Sequence, residues 1–385
     1  MKRFLIILSI LISLVTTVLL LGQDKPDADQ QISASFLGPQ GVSEGFEYVD
    51  GTKQLNFPED FGPHPSYQTE WWYYTGNLES EDGNRFGYQL TFFRRGLLPP
   101  QDWVERESDW ATNQVFMAHF AISDVEQRNH QAYEQFSRGS FGLAGATSNP
   151  FSVWVEDWRV EQSGKDQYSL IVSENEISLN LTLSDTKGPI LHGESGYSRK
   201  GPGIGNASYY FSQTRLASAG EIQIGDATYG VQGLSWMDHE FSTSALSAGQ
   251  VGWDWFSIQL EEGSELMVFQ IRRDDGTIDP FSSGTYVAEN GDTHDISWGE
   301  FEILVVDTWR SPDTGAVYPS QWQLRIPSQN LELNIEPLLA DQEVALSYIY
   351  WEGAVQINGL KAGIPISGLG FVEMTGYVQS MEGEF

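Results

Sequence analysis

One strand pattern occurs twice in this chain, in the same order. The first copy reads Glu70-Trp71-Trp72-Tyr73-Tyr74-Thr75-Gly76-Asn77-Leu78, a turn, then Phe92-Phe93-Arg94-Arg95. The second reads Gly252-Trp253-Asp254-Trp255-Phe256-Ser257-Ile258-Gln259-Leu260, a turn, then Gln270-Ile271-Arg272-Arg273. Further on, Tyr168-Ser169-Leu170-Ile171-Val172 and Ile177-Ser178-Leu179-Asn180-Leu181 match Trp322-Gln323-Leu324-Arg325-Ile326 and Leu331-Glu332-Leu333-Asn334-Ile335. Each copy closes on a similar strand, Gly233-Leu234-Ser235-Trp236-Met237-Asp238 in one and Gly368-Leu369-Gly370-Phe371-Val372-Glu373 in the other. Matches that keep their order imply an internal duplication. The chain then folds as two similar halves, and the carboxylate that ends each copy marks where chemistry is to be sought.

The elements are strands. Trp72-Tyr73-Tyr74-Thr75 and Tyr88-Gln89-Leu90-Thr91-Phe92-Phe93 are rich in aromatic and β-branched residues, which suit a pleated surface. They flank Glu81-Asp82-Gly83-Asn84, a hairpin turn; Asp275-Gly276 and Asn290-Gly291 are two more. Val115 to Ile122 reads as a strand, and Ile177 to Leu183 alternates strictly, so one of its faces is buried. Gln127 to Phe136 reads as a loop or a brief helix. Aromatics make up 13% of the chain, too many for a thin sandwich core, so two tandem antiparallel β-barrels are the all-β solution favoured. The repeat puts the first barrel at 42–245 and the second at 246–385. Ser242 to Gln250 forms a small-residue linker.

Lys2 and Arg3 precede an apolar run from Phe4 to Leu21. Residues 1–22 read as a cleaved signal peptide or an uncleaved anchor, followed by a polar tether at 23–41. Either way the positive flank places the rest outside the cytoplasm, in the periplasm or at the envelope, with membrane association through the N-terminus. With no cysteine there is no disulfide framework and no lipid-modified cysteine. The net charge of −32 argues against nucleic acid or anionic lipid as a ligand, since both require a basic footprint.

Four segments carry a resemblance. They are His64-Pro65-Ser66-Tyr67-Gln68-Thr69-Glu70-Trp71-Trp72-Tyr73-Tyr74-Thr75-Gly76-Asn77-Leu78, Gln89 to Arg94, Ala118-His119-Phe120-Ala121-Ile122-Ser123-Asp124, and Trp236-Met237-Asp238-His239-Glu240-Phe241. Together they resemble the carotenoid 1,2-hydratase/AttH family over roughly residues 40 to 385. The resemblance implies two lipocalin-like barrels side by side, with a cavity for an apolar ligand near their junction. It also carries onto Asp238 the role of protonating an isolated C=C bond, to leave a tertiary carbocation.

Read from the residues, Trp236, Asp238 and Glu240 share one strand face while Met237, His239 and Phe241 share the other. Burial and a neighbouring carboxylate would both help Asp238 keep a proton near neutrality. The candidate catalytic set is Asp238 with His239 and Glu240 tuning it. The candidate ligand contacts are Glu70, Trp72, Tyr74, His119, Trp236, Trp253 and Trp255; the rings of Trp72, Tyr74, Trp236 and Trp255 can stabilise a cation. The structural alternative makes Asp238-His239-Glu240 a network tying the barrels together. Glu70 reads equally as a cavity-edge carboxylate or as one side of an inter-domain ion pair with Arg94 or Arg95. His64 reads as a plug or a ligand contact, and His119 as a core or a cavity histidine. In the second copy Met374 and Thr375 replace His239 and Glu240, which suggests that this half lost a task.

No Gly-x-Ser-x-Gly elbow occurs, and His192-Gly193-Glu194-Ser195-Gly196 shows no triad order. No spaced histidine pair marks a metal site, and Asp274 to Asp279 reads as a turn. No cofactor is called for. Three functions stay open: a hydro-lyase of the carotenoid-hydratase type acting on an isoprenoid or polyene; a non-catalytic lipid or terpenoid binder serving a membrane exporter; and a hydrolase of an unknown ester.

Overall fold

The computed structural model describes residues 44–104, 108, 110–244 and 246–382. The N-terminal run and tether lie outside these residues. No described helix is long and apolar enough to cross a membrane. The architecture is all-β, in two antiparallel sheets each rolled into a barrel.

In the first sheet the hydrogen-bonded order starts at Asn129–Arg138 and passes through Gln114–Asp124, Arg85–Gly96 and Thr69–Ser80. It continues through Ala227–Ser242, Ala207–Ile224, Ile177–Asp185, Gln167–Glu174 and Trp158–Gly164, and ends on the hairpin Phe151–Val155 and Ala144–Ser148. The second sheet repeats the order: Thr293–Ser297, Ser283–Val287, Glu265–Arg273, Gln250–Leu260, Ile364–Met374, Ile349–Lys361, Leu331–Pro337, Val317–Ile326 and Glu302–Arg310. Among the described residues the hairpin at 144–155 has no counterpart in the second sheet, and two short strands, Ile190–Leu191 and Tyr197–Arg199, flank Ala207–Ile224 where a single one, Glu343–Ala345, flanks Ile349–Lys361. In both sheets the two edge strands are neighbours in sequence, so a short connection draws the edges together and the sheet curls.

Asn129–Arg138 is a strand, where the sequence suggested a loop or brief helix. It pairs with Gln114–Asp124 along its whole length. It is an edge strand whose inner residues are only half-buried, so it carries little of the apolar signature that marks central strands.

Strand alternation sends one set of side chains into each barrel and the other set outward. On Thr69–Ser80, Trp72 and Tyr74 join the interior of the first barrel, while Trp71 and Tyr73 join a separate cluster between the barrels. The second barrel does the same, with Phe256 and Ile258 inside and Trp253 and Trp255 at the junction. Each large aromatic buries ~150–250 Å². The aromatic richness therefore fills three apolar regions: two barrel interiors and the seam between them.

The seam is polar as well as apolar. Glu265 of the second barrel is fully buried and takes ion pairs from Lys187 at 2.6 Å and from Arg215, both of the first. Asn77 Nδ2 donates to the Gly370 carbonyl at 3.0 Å. Gly87 faces Ala354 so closely that a Cβ on the glycine would lie 2.6 Å from the alanine methyl. The absent side chain is what lets the two barrels touch there.

Candidate active site

The site lies between the barrels, on their outward faces. The final strands of the two halves, Ala227–Ser242 and Ile364–Met374, set it up. Asp238 pairs with Tyr73 in one register and Glu373 pairs with Trp255 in the other, so the two carboxylates occupy equivalent positions of the duplication. Both line one cavity, with Trp71, Tyr73, Phe93, Trp253, Trp255 and Phe269 among the apolar walls and Tyr210, Glu240 and Lys200 among the polar ones. It is an open, mainly aromatic cavity, and the space inside it, including solvent at its mouth, is about 780 Å³.

Asp238 is 4% exposed and accepts three hydrogen bonds. Trp236 Nε1 donates to Oδ1 at 2.6 Å, Ser212 Oγ donates to the same oxygen, and the Tyr210 hydroxyl donates to Oδ2 at 2.6 Å. Burial pushes this carboxyl up to about 7; the three donors oppose the shift, and the charge of Glu240 adds to it. Oδ1 is filled by two donors, so Oδ2 has the remaining capacity to carry a proton.

The donors are themselves aimed from across the seam. Trp255 Nε1 donates to the Tyr210 hydroxyl at 3.0 Å. His192 Nε2 lies 2.6 Å from Ser212 Oγ, and His192 Nδ1 lies 2.9 Å from Thr285 Oγ1 of the second barrel. Burial lowers the His192 ring to about 3, so it is neutral. Because Ser212 donates to Asp238, His192 must carry its proton on Nε2 and accept from Thr285 on Nδ1. The serine stands between the histidine and the aspartate, whereas a hydrolytic triad needs the histidine in the middle.

Opposite Asp238, Trp253 Nε1 donates to Glu373 Oε1. Glu352, 1% exposed, lies beside Glu373 and accepts from the Tyr73 hydroxyl on Oε1. Burial and the neighbouring Glu373 push Glu352 well above the usual carboxylate range, and burial raises Glu373 to about 7. The half of the duplication that read as having lost its task therefore keeps a carboxyl at the same cavity. Glu240 accepts from Ser208 and sits 3.4 Å from Lys200 Nζ, which lies 4.0 Å from the Phe269 ring centre.

The remaining candidates are elsewhere. Glu70, Trp72, Tyr74 and His239 point into the first barrel, away from the cavity, because they sit on the strand faces opposite Tyr73 and Asp238. His239 therefore does not touch Asp238. Its Nε2 lies 2.9 Å from Glu70 Oε1, and burial lowers it to about 4. The Glu70 ion pair is with Arg94, at 2.7 Å, and lies within the first barrel rather than between domains. His64 also bonds Glu70, at 2.8 Å, and stacks on Phe241 at 3.6 Å, closing the barrel end. Burial works to raise Glu70, yet Arg94 and the two histidines hold it well below the usual carboxylate range. His64, Glu70 and His239 come within 4.8 Å of one another, a convergence that spacing could not reveal. Arg94 pairs with that carboxylate, and His239 Nδ1 has no hydrogen-bond partner among the described residues. His119 bridges the barrels through Tyr350, at 2.9 Å, and reaches Glu134 at 3.1 Å.

Of the seven residues read as ligand contacts, Trp253 and Trp255 line the cavity, and Trp236 acts beside it through Asp238. Trp71, Tyr73, Tyr210, Ser212, Lys200 and Glu352 were not singled out. For Trp71 and Tyr73 a signal existed: a strand aromatic on both faces has both faces covered.

Two lipocalin-like barrels that share one acid-bearing aromatic cavity define a two-domain lipocalin-type protein. The chain belongs to the AttH-like family, whose profile matches residues 48–377. The crystal structure of an AttH-type protein from Nitrosomonas europaea is 35% identical, with a TM-score of 0.77 over 86% of this chain and 100% of that one. Kievitone hydratase from Nectria haematococca shares the fold at 14% identity, with a TM-score of 0.64 over 88% and 98%. CghA in complex with Sch210972 does so at 12% identity and a TM-score of 0.53, over 89% and 97%. No curated protein sequence matches this chain.

Proposed function

We propose that the protein is an exported hydro-lyase that adds water across a C=C bond of an apolar isoprenoid or polyene held between the barrels. The observation that carries this is Asp238: a buried carboxyl, fixed by three donors, that holds a proton near neutral pH at the edge of an aromatic cavity. An acid of this kind is still protonated at neutral pH, as protonating an isolated alkene requires, and a dry aromatic site favours the cation that forms. The cation that results is tertiary on a branched isoprenoid. Trp71, Trp253 and Trp255 are at hand to stabilise it, at up to ~2 kcal/mol for each desolvated ring contact. Water then adds, and the product leaves as an alcohol. The fold shared with kievitone hydratase supports this reaction class, and the Lys2-Arg3 flank before the apolar run supports export.

The test is to incubate the purified protein with squalene or lycopene in ¹⁸O-labelled water and to analyse the solvent extract by mass spectrometry. A labelled alcohol that disappears in folded Asp238→Asn supports the reading. Saturable uptake of the polyene with no product would leave an envelope lipid binder in its place. Turnover that survives in Asp238→Asn would remove Asp238 from the chemistry.

A further inference from the structure

The internal duplication has produced two carboxyl groups that meet at one cavity in different company. Asp238 is surrounded by neutral donors. Glu373 has one indole donor and a second carboxyl, Glu352, at its back. From this asymmetry we infer that Glu373 is the base that takes the proton from the attacking water, while Asp238 delivers its own to the alkene. The two halves of the duplication thus supply the acid and the base of one reaction. This rests on the hydration reading above.

Position comes first. Glu373 lines the cavity and is partly exposed to it, whereas Glu352 is shut behind it. Asp238 and Glu373 descend from the same register position of the two barrels, and both line the one cavity, so each barrel supplies it one carboxyl. Glu240, the other carboxylate of the cavity, is already paired on Oε1 with Ser208 and with the Lys200 cation, whereas among the described residues Glu373 has no cation beside it.

Protonation follows from the pairing. Two carboxyls in one buried place cannot both ionise, so the pair holds a proton. Glu352 is the deeper and keeps it. Glu352 and Glu373 are directly opposite each other on neighbouring strands, and Glu352 Oε2 has no other partner, so the proton they share is held on the deeper Glu352. Trp253 donates to the Glu373 carboxylate. Tyr73 fixes Glu352, which makes Glu352 a positioning residue.

The steps balance. The Asp238 O–H bond breaks and the alkene π pair forms a C–H bond, leaving the adjacent carbon cationic and Asp238 ionised. A water lone pair forms the C–O bond. The oxonium O–H pair stays on oxygen as its proton passes to Glu373. Solvent then removes that proton and returns one to Asp238. The net change is addition of H and OH.

The experiment follows two labels in squalene incubated in D₂O enriched in ¹⁸O: oxygen in the alcohol, and deuterium on the vinylic CH carbon of the terminal double bonds in recovered squalene. In Glu373→Gln the alcohol is expected to fall roughly 100-fold. Deuterium should still enter squalene in that variant, because the cation forms and reverts. Asp238→Asn should lose both labels, and Glu373→Asp should recover part of the alcohol. Wild-type hydration in Glu373→Gln, or loss of both labels in a folded Glu373→Gln, overturns the assignment. Infrared titration of the ligand-free protein is independent of turnover. An acid carbonyl band that persists in mildly alkaline solution, where Asp238 and Glu373 have ionised, should vanish in Glu352→Gln and survive in Asp238→Asn. If Glu352 and Glu373 titrate as two ordinary carboxylates, the base is not Glu373. If the band behaves as stated but wild type hydrates neither squalene nor lycopene, it is the hydration reading that fails.

Discussion

Trp255 of the second barrel donates its indole N–H to the hydroxyl of Tyr210 of the first, at 3.0 Å, and Tyr210 donates in turn to Asp238 at 2.6 Å. A ring from one barrel thus aims the phenol that holds the acid of the other. The pairing of the barrels is a condition for the geometry of the site. Trp255→Phe keeps the apolar wall and removes only the donor. Turnover should fall about tenfold, the worth of one hydrogen bond of ~1–1.5 kcal/mol. Fluorescence titration with an apolar polyene should give an unchanged affinity. Weakened binding at unchanged turnover would mean that Trp255 acts only as a wall.

The raised Asp238 carboxyl links stability to pH. Its folded-state value is about 7, against 3.8 in the unfolded chain. Between these limits the folded protein holds a proton that the unfolded chain has lost, so its contribution is full below pH 4 and is lost as pH rises to about 7. Compared with Asp238→Asn, wild type should lose a few kcal/mol of stability across that window, at up to ~1.4 kcal/mol per pH unit. Urea denaturation of both proteins from pH 4 to 8 measures this. Parallel curves would show that Asp238 ionises normally in the fold.

Activity requires Asp238 protonated and Glu373 ionised, and burial raises both to about 7. The pH profile of kcat/KM should therefore be a narrow bell centred near neutrality, falling about tenfold per unit on each side. In Glu373→Gln the residual rate should lose the acid limb and keep the alkaline one. A wild-type rate that climbs steadily to pH 9 would contradict Asp238 as the donor.

Inside the first barrel, Arg94 is 1% exposed and holds Glu70 at 2.7 Å while donating to the Tyr67 and His64 carbonyls at 2.7 and 3.0 Å. Arg94→Met leaves a buried carboxylate without its cation. It should cost about 3–5 kcal/mol by chemical denaturation. Arg94→Met/Glu70→Gln should recover part of that loss. The cavity lies on the other strand face, so residual turnover per folded molecule should be close to wild type.

The seam at Gly87 is tight enough to test the joint directly. A Cβ there would lie 2.6 Å from that of Ala354. Gly87→Val should wedge the barrels apart, lowering thermal stability by several degrees and turnover along with it. Gly87→Ala/Ala354→Gly should restore both towards wild type, since it returns the missing volume. Failure of the exchange to rescue would show that the loss arises within the strand.

The sequence alone determined the duplication, the strands and their hairpins, and that Asp238 shares its face with Trp236 and Glu240. Local propensity, turn chemistry and a side-chain period of two are all written in neighbouring residues. The same period states which side chains go together but not which set faces a second barrel. Only the tertiary structure decided that Trp71 and Tyr73 turn to the cavity while Glu70, Trp72, Tyr74 and His239 turn to the barrel interior. It also brought Ser212, His192 and Thr285 into one line behind Asp238, and Glu352 behind Glu373. These partners lie tens of residues or more apart in the chain, and their meeting depends on how two curled sheets are pressed together. Burial at that seam, which no local pattern encodes, is what turns ordinary carboxylates into groups that hold a proton at neutral pH.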